Sequence, residues 1–289
     1  MGHHVSVLAT LVLLAAAPHA ETADPCQTTQ ASGTFAEVAV PGADSTIVSG
    51  INNRGQIVGT YSAGGVTSGF VLDGDDYTEL NIPGSTITRV TDINSHGVIV
   101  GSYRDSSGEH GFIWDDGSIT TLDMPGVIAT SPNGINDAGT VVGMVLTPGN
   151  IDGIDHGFIY RDGEFQMLDY PNAGGTVLND INNAGSALGN YANPTPAYFL
   201  YNSGTFTAVS VCPPYTVVQE ITNQGDLIGS TQTGVNTTMG AVTTRRGLLL
   251  VSPPDASQSS LVAGNAAGVL VGLYQDLSNH ERSFVFVPH

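Results

Sequence analysis

A short glycine motif recurs six times along this chain and constrains the fold more than any other feature. In its commonest form an Ile-Asn pair is followed by two glycines that lie four residues apart. The fifth copy has Ile-Thr and the sixth has Gly-Asn in place of the pair. The first glycines are spaced by 40 to 46 residues, at Gly55, Gly97, Gly139, Gly185, Gly225 and Gly268. Such a period is typical of an array of small four-stranded sheets.

The second copy shows how one repeat is predicted to fold. Residues 88–93, 98–103, 111–114 and 118–123 are short runs rich in β-branched and aromatic residues. Turn-forming residues separate them, and Asp or Asn before Gly supplies the positive φ of a tight turn. No helical period is found in the mature chain. Six such repeats predict an all-β fold, namely a six-bladed β-propeller.

The two ends of the chain complement each other. The last copy stops after its third strand, at residues 283–287, whereas residues 33–42 form a predicted fourth strand without a repeat of its own. The N-terminal strand is therefore predicted to complete the last blade and to leave no open sheet edge. Residues 33–289 are accordingly predicted to form a single propeller domain, preceded by an N-terminal arm at residues 21–32.

Residues 1–20 are predicted to be a signal peptide. Residues 5–17 are small and apolar, and cleavage is expected after Ala17 or Ala20. The run is too short for a stable membrane span. We therefore expect a secreted protein.

If the protein is exported, its two cysteines and its one glycosylation sequon become candidate sites of covalent modification. An even number of cysteines in an exported protein favours a disulfide, here between Cys26 and Cys212. Because the enclosed loop is long, the bond would contribute roughly 3 to 5 kcal/mol in the chain-entropy model. Asn236 begins the sequon Asn-Thr-Thr, which is a glycosylation site only in a eukaryotic secretory pathway.

The charge balance excludes some partners. The chain has 26 acidic residues against seven basic ones, a formal net charge of −19. This balance argues against binding to nucleic acid or to an anionic membrane through a basic patch. We expect neither of these partners, and we expect a monomer.

The repeated sequence also carries a family resemblance. The string Ile-Asn-x-x-Gly-x-x-Val-Gly, followed by a loop, His-Gly-Phe-Ile and Asp-Gly, resembles the HAF family of extracellular repeats. The resemblance extends over residues 33–287 and is most specific in the first three copies, where His110 and His156 precede Gly-Phe. Copies four to six depart from the pattern. The resemblance implies export and a repeated β architecture, but no general activity.

A second resemblance concerns function. In size, signal peptide, low cysteine number and lack of cofactor motifs, the chain is similar to small secreted fungal propeller-like proteins. These include the hetero-Diels–Alderases of tropolone–sesquiterpene biosynthesis. This resemblance implies a cofactor-independent cycloaddition in secondary-metabolite biosynthesis. No catalytic motif carries it, so it assigns no residue a role.

A column of hydroxyl residues supplies the first ligand-binding candidates. One hydroxyl residue lies six positions before each Asn of the motif, and this column is predicted to line the upper part of a central channel. The hydroxyls could bind a ligand there, or they could bond the main chain where a strand begins, which their strict recurrence favours. The column consists of Thr46, Thr88, Thr130, Thr176, Thr216 and Ser259.

Acidic residues occupy part of another column. Asp92, Asp180 and Glu220 each directly precede the isoleucine of the motif. Converging carboxylates could hold a cation such as calcium. Only three of six repeats carry the acid, and no Asp-x-Asp-x-Asp loop exists, so no metal site is predicted.

Residues expected on the rim of the propeller are the remaining candidates. Arg104, Arg282 and Tyr103 are the catalytic candidates, because cations are scarce in this acidic chain and tyrosines end the second strand of a repeat. The further ligand-binding candidates on the rim are Arg89, Tyr61, Tyr191 and Tyr274. Histidines at 110, 156 and 280 precede the third strand, and their recurrence favours a structural role over metal binding or acid–base chemistry.

Two functional classes stay open. In the favoured one, the propeller is an enzyme whose funnel positions a small apolar molecule for cycloaddition, with a few hydrogen bonds that polarise a carbonyl or quinone-methide oxygen. In the alternative, it is a non-catalytic extracellular module that binds a glycan or a cell-surface partner. The sequence shows no Ser-His-Asp order, zinc motif or phosphate-binding loop, and no cofactor is predicted.

Overall fold

The described part of the molecule consists of β-strands. A computed structural model describes residues 26–149, 155–192, 196–210, 217–244 and 247–289. These residues form 25 strands and contain no helix, which confirms the predicted all-β fold. Within the same ranges no helix is long and apolar enough to cross a membrane.

The strands form six units that follow the six copies of the motif. Two strands precede them, β1 (Thr28–Gln30) and β2 (Gly33–Val38). Unit one consists of β3 (Ser45–Ile51), β4 (Ile57–Ala63), β5 (Val66–Asp73) and β6 (Asp76–Leu80). Unit two consists of β7 (Ile87–Ile93), β8 (Ile99–Arg104), β9 (Glu109–Asp115) and β10 (Ser118–Leu122). Unit three consists of β11 (Ala129–Ile135), β12 (Val141–Leu146), β13 (Asp155–Arg161) and β14 (Glu164–Leu168).

The second half of the chain repeats this arrangement. Unit four consists of β15 (Thr176–Ile181), β16 (Ala187–Ala192), β17 (Pro196–Asn202) and β18 (Thr205–Val209). Unit five consists of β19 (Val217–Ile221), β20 (Leu227–Gly234), β21 (Thr237–Thr244) and β22 (Gly247–Val251). Unit six contains β23 (Gln258–Gly264), β24 (Leu270–Gln275) and β25 (Glu281–Pro288). Neighbouring strands within each unit are antiparallel.

The N-terminal segment contacts the last two units. β2 pairs antiparallel with β25, from Gly33 opposite Pro288 to Val38 opposite Ser283. It therefore takes the position of a fourth strand in unit six. β1 pairs in parallel with β22 of unit five.

Five of the six units bury a phenylalanine of the third strand against a glycine of the second strand, and unit five has Ala241 at the equivalent position. The rings of Phe70, Phe112, Phe158, Phe199 and Phe284 are almost completely buried. A Cβ on Gly101 would overlap the carbonyl oxygen of Arg89 and lie 2.9 Å from the Phe112 ring. The second glycine of the motif therefore permits close approach of strand and ring, whereas the first, such as Gly97 with a φ of 89°, forms a left-handed turn.

Candidate functional site

The first strands of all six units line a common space, hereafter called the channel, and the Asn column of the motif lies at its lower end. Each Asn Nδ2 donates to the backbone oxygen of the equivalent residue in the next unit, at 3.1 to 3.2 Å. The pairs run from Asn52 to Asn94, Asn94 to Asn136, Asn136 to Asn182, Asn182 to Thr222, and Asn265 to Asn52. Each Asn thus links neighbouring units. The Asn265 bond links unit six to unit one.

The same asparagines also hold the glycine turns. In unit two, Asn94 Oδ1 accepts hydrogen bonds from the backbone N–H of His96 and Val98, both at 3.0 Å. One side chain therefore satisfies two turn donors and one carbonyl of the neighbouring unit. Thr222 has no amide to donate, so unit five lacks this link to unit six. There, Glu220 Oε2 accepts a 3.0 Å hydrogen bond from Gly264 N of unit six.

Three carboxyl groups lie inside the channel above the asparagines. Asp92 accepts from Ile135 N of unit three at 2.8 Å, and Asp180 accepts from Ile221 N of unit five at 2.9 Å. With Glu220, each acid thus bonds the first strand of the following unit. The glycines of the same column leave space for them, since a Cβ on Gly134 would lie 2.7 Å from Asp180 Oδ1.

Burial and mutual repulsion change the protonation of these acids. Burial, with the Asp180 charge as a smaller cause, raises the pKa of Asp92 from its ordinary 3.8 to about 8. Burial raises the pKa of Asp180 to about 6. Burial, followed by repulsion from Asp180 and Asp92, raises the pKa of Glu220 well above its usual range. A pKa of about 8 favours the protonated form of Asp92 at neutral pH, and a protonated carboxyl group can donate a hydrogen bond.

The acids separate two cavities of the channel. The lower cavity, of about 80 Å³, lies among the asparagines. The upper cavity, of about 380 Å³, is hereafter called the funnel, and all six units contribute to it. Its apolar wall is formed by Ile47, Val48, Val90, Val262 and Leu273. Its polar wall and floor are formed by Ser49, Thr91, Asn133, Asn179, Gln219 and the three acids. The funnel thus combines an apolar wall with hydrogen-bonding groups, as small-molecule sites do.

The hydroxyl column lies away from the funnel in every described unit. Thr88, Thr130, Thr176 and Ser259 are buried. Each accepts a hydrogen bond from a backbone N–H, as Thr130 Oγ1 does from Met124 N at 3.0 Å. The same holds for Thr46, Thr88, Thr176 and Ser259. None of these residues is among those that line the funnel, so their position corresponds to the backbone-bonding alternative. Thr216 lies outside the described residues.

The rim tyrosines lie opposite the hydroxyl column on the second strand of their units. Thr46 pairs with Tyr61, and the same register recurs at Tyr103, Tyr191 and Tyr274. Tyr103 stacks on His110 with ring centroids 5.1 Å apart, and Tyr191 stacks on Tyr170 at 3.8 Å. These rings pack on their own units and do not line the funnel.

The arginine candidates are exposed and lie outside the funnel. Arg104 pairs with Glu109 at 2.8 Å, and Arg282 pairs with Glu37 of β2 at 3.0 Å. Arg89 is exposed on β7. None of the three lines the funnel. Their catalytic or binding roles remain predictions that their positions do not favour.

Two of the repeated histidines form hydrogen bonds with aspartates that directly follow the fourth strand of their unit. His110 Nδ1 lies 2.7 Å from Asp123 Oδ2, and His156 Nδ1 lies 3.0 Å from Asp169. The hydrogen bond to Asp123 raises the pKa of His110. His280 lies 3.5 Å from Asp276. Within the described residues, no group of three or more His, Cys, Asp or Glu side chains could hold a metal ion.

The sequence predicts two covalent features, a disulfide and a glycosylation site. Cys26 is the first described residue, whereas Cys212 lies outside the described residues, so their disulfide stays a prediction. Asn236 is exposed at the tip of the β20–β21 hairpin, with a φ of 60°. This position is sterically open to modification.

Sequence reasoning missed the side chains of the funnel wall. Six of these side chains belong to residues that a β-bulge inserts in the first strand of each unit, directly before the acid column, as Thr91 is between Val90 and Asp92. The register shifts at the same place in all six units. A polar residue recurring inside an otherwise apolar strand was the available signal.

The pH dependence of stability tests the protonation of the acids. The pKa of Asp92 is higher in the folded than in the unfolded chain. Protonated Asp92 therefore contributes fully to the free energy of unfolding below about pH 4, and this contribution is lost as pH rises towards 8. In urea unfolding, Asp92→Asn should cost about 1–3 kcal/mol at pH 4.5, since one backbone N–H loses its acceptor. The cost should shrink at pH 8.5. The exposed control Asp75→Asn should cost the same at both values, and a pH-independent cost of Asp92→Asn would contradict the assignment.

Comparison with known proteins identifies the fold. No family model matches the chain, and no curated protein matches it, so the resemblance to HAF repeats stays a prediction. Solved structures do match. The β-propeller domain of the Trilobed protease from Pyrococcus furiosus is 12% identical, with 85% of this chain and 81% of that chain covered and a TM-score of 0.56.

Two further structures show how varied the similar proteins are. Virginiamycin B lyase from Staphylococcus aureus is 16% identical over 86% of this chain and 87% of its own, with a TM-score of 0.51. Aleuria aurantia lectin, in complex with α-methyl-L-fucoside, is 10% identical over 88% of this chain and 97% of its own, with a TM-score of 0.50. At such identities the similarity shows a propeller-like fold alone. Proteins of this fold include enzymes and lectins.

Proposed function

We propose that the protein is a secreted, six-bladed β-propeller, closed by its N-terminal strand, whose funnel takes a small molecule. Three contacts between the two ends of the repeat array support closure. β2 completes unit six, Asn265 bonds Asn52 O, and Ser283 Oγ both accepts from Val48 N and donates to Thr46 O. Ring closure places the first strands of all six units around one funnel.

The observation that carries the function is a buried carboxyl group at the floor of a partly apolar cavity. Asp92 lines the funnel with Val90 and Val262, and burial raises its pKa to about 8, which favours the protonated form at neutral pH. A donor held in a cavity of low polarity stabilises charge that develops on a carbonyl oxygen. The apolar wall meanwhile positions a hydrocarbon partner.

The reaction that these groups suit best is a cofactor-independent hetero-Diels–Alder cycloaddition in secondary-metabolite biosynthesis. Two π bonds of a C=C–C=O heterodiene and one π bond of an alkene become one new C–C bond, one new C–O bond and one new C=C bond between the two central atoms of the heterodiene. No proton or electron is exchanged. The carboxyl hydrogen bond draws electron density from the heterodiene, and the funnel selects one face of the alkene.

Stereoselectivity provides the test. An ortho-quinone methide generated in situ, mixed with a cyclic sesquiterpene alkene, should give one adduct in enantiomeric excess and faster than the background reaction. The enhancement should fall as pH rises past about 8, where Asp92 loses its proton. Asp92→Leu, which removes the donor, should reduce it about 10²-fold.

The surface variant Arg104→Ala is the matched control, because its guanidinium pairs with Glu109 outside the funnel. It should leave the selectivity unchanged. A racemic adduct formed at the background rate by the folded wild type would contradict a cyclase function. Thermal unfolding of each variant establishes that it is folded before the comparison.

A second candidate, a non-catalytic binding module for a glycan or a cell-surface partner, is favoured by a groove beside unit six. Tyr274, Gln258 and Gln275 line this groove of about 160 Å³. An aromatic face and amide groups together suit a sugar ring and its hydroxyls. Calorimetric titration with methyl α-L-fucoside should give a signal that Tyr274→Ala abolishes if this candidate is correct.

A further inference from the structure

The β-bulge of each unit turns one side chain onto the funnel wall. The six bulge residues are Ser49, Thr91, Asn133, Asn179, Gln219 and Val262, and all six line the funnel. They occupy equivalent positions, so differences in their bonding break the sixfold symmetry of the wall.

In units one to three these side chains bond the neighbouring unit. Ser49 Oγ donates to Val90 O at 2.8 Å, and Thr91 Oγ1 donates to Pro132 O at 2.9 Å. Asn133 Nδ2 donates to Leu178 O at 2.8 Å. These hydrogen bonds connect neighbouring units, so the three side chains already have partners within the protein.

Units four and five differ. Asn179 Oδ1 is buried and is the one buried side-chain nitrogen or oxygen without a hydrogen-bond partner in the described part of the chain. The side chain of Gln219, the next residue along the wall, makes no hydrogen bond to another described residue. A buried acceptor without a partner costs folding free energy and is rare in native proteins. Asn179 Oδ1 itself exposes almost no surface, and a half-turn of the amide would bring it to the funnel, where a donor on a bound molecule can reach it.

The same two strands also carry two of the three floor acids. Asp180 follows Asn179 on β15, and Glu220 follows Gln219 on β19. Wall and floor groups of units four and five therefore face one side of the funnel together. The opposite side presents Ile47 and Val90, which are apolar.

Building on the proposed small-molecule funnel, we infer that Asn179 and Gln219 form its recognition wall and that the bound molecule carries a hydroxyl or N–H donor which Asn179 Oδ1 accepts. The substrate class is then a hydroxylated carbonyl compound with an apolar body. The carbonyl accepts from the floor acids, and the hydroxyl fixes the orientation towards units four and five. Asn179 is thus a specificity residue and takes no part in bond formation.

A matched pair of probes tests this assignment. We would measure the affinities of 3-hydroxyacetophenone and 3-methoxyacetophenone by NMR titration, because the two differ in one donor. The wild type should bind the hydroxy compound about tenfold more tightly, which corresponds to one hydrogen bond. Asn179→Leu should remove this preference and leave the affinity for the methoxy compound unchanged. Because it eliminates an unpaired acceptor, it should also raise the thermal midpoint.

An asparagine of unit four that lies outside the funnel is the control. Asn202→Leu breaks the 2.9 Å hydrogen bond to Ser186 Oγ, but it should keep the preference for the hydroxy compound. If wild type and Asn179→Leu both bind the two probes without discrimination, the recognition wall is wrong while the funnel site stands. If the folded wild type binds neither probe, both the funnel site and the recognition wall are contradicted.

Discussion

A variant that lacks residues 26–38 is expected not to fold. β2 supplies the outer strand of unit six, and Phe35 packs 4.9 Å from Phe286 between ring centroids. Val38 is buried in the cluster that joins units six and one. Without β2, the strand β25 becomes an open edge and this cluster loses a wall. Because the whole folding free energy of a domain is about 5–15 kcal/mol, the loss should abolish the cooperative thermal transition followed by circular dichroism.

A chain that begins at residue 26 is the control and should show the transition of the mature protein. Addition of a peptide that covers residues 26–41 to the truncated variant should restore the transition, because the strand can pair in trans with β25. A truncated monomer that melts near the temperature of the control would contradict closure by β2.

The second large effect is expected for Gly101→Ala. A Cβ at this position would overlap the carbonyl oxygen of Arg89 and press against the buried ring of Phe112. Backbone and ring cannot both move in a core of this density, so the variant should lose on the order of 3 kcal/mol or more in urea unfolding. Gly174→Ala is the matched control, because its Cβ would meet only Ala192 O at 3.5 Å. It should change stability by less than about 0.5 kcal/mol.

An unchanged urea midpoint in Gly101→Ala would show that the second glycine of the motif is not needed for close packing. The repeated spacing of the glycines would then reflect turn chemistry alone. The same test can be made at Gly143, where a Cβ would overlap Ser131 O.

The strands and turns could be predicted from the sequence because their signals are local. Gly97 and Asp116 need positive φ values, and the runs between such turns alternate as strands do. The N-terminal strand could be inferred as well, since the last repeat is one strand short and residues 33–38 have the missing pattern.

The funnel could not be predicted in this way, because it depends on contacts between units. Nothing local to Asn94 reveals that its amide bonds Asn136 O, 42 residues further on. Asp92 was recognised as a member of an acid column, but its raised pKa arises from burial and from Asp180 two units away. The bulge that turns Asn179 to the wall is a register shift, which residue alternation does not show.

The hydroxyl column illustrates the opposite case. Its recurrence allowed either a ligand ring or a backbone role, and Thr130 in fact accepts from Met124 N in the interior of its unit. A side chain that recurs in every unit serves the structure common to all units. The bulge residues Asn179 and Gln219, whose bonding differs from that of units one to three, are better candidates for recognition.

The central claim is that the channel contains protonated carboxyl groups at neutral pH, and Glu220 allows its most direct test. The chain has seven glutamates, so carbon-13 labelling of their carboxyl groups gives few NMR signals. Burial predicts one signal that titrates well above the ordinary value of about 4.5. Glu220→Gln should remove that signal. If every glutamate signal titrates near the ordinary value, burial does not raise the pKa of the channel acids, and the protonation proposed for Asp92 loses its support.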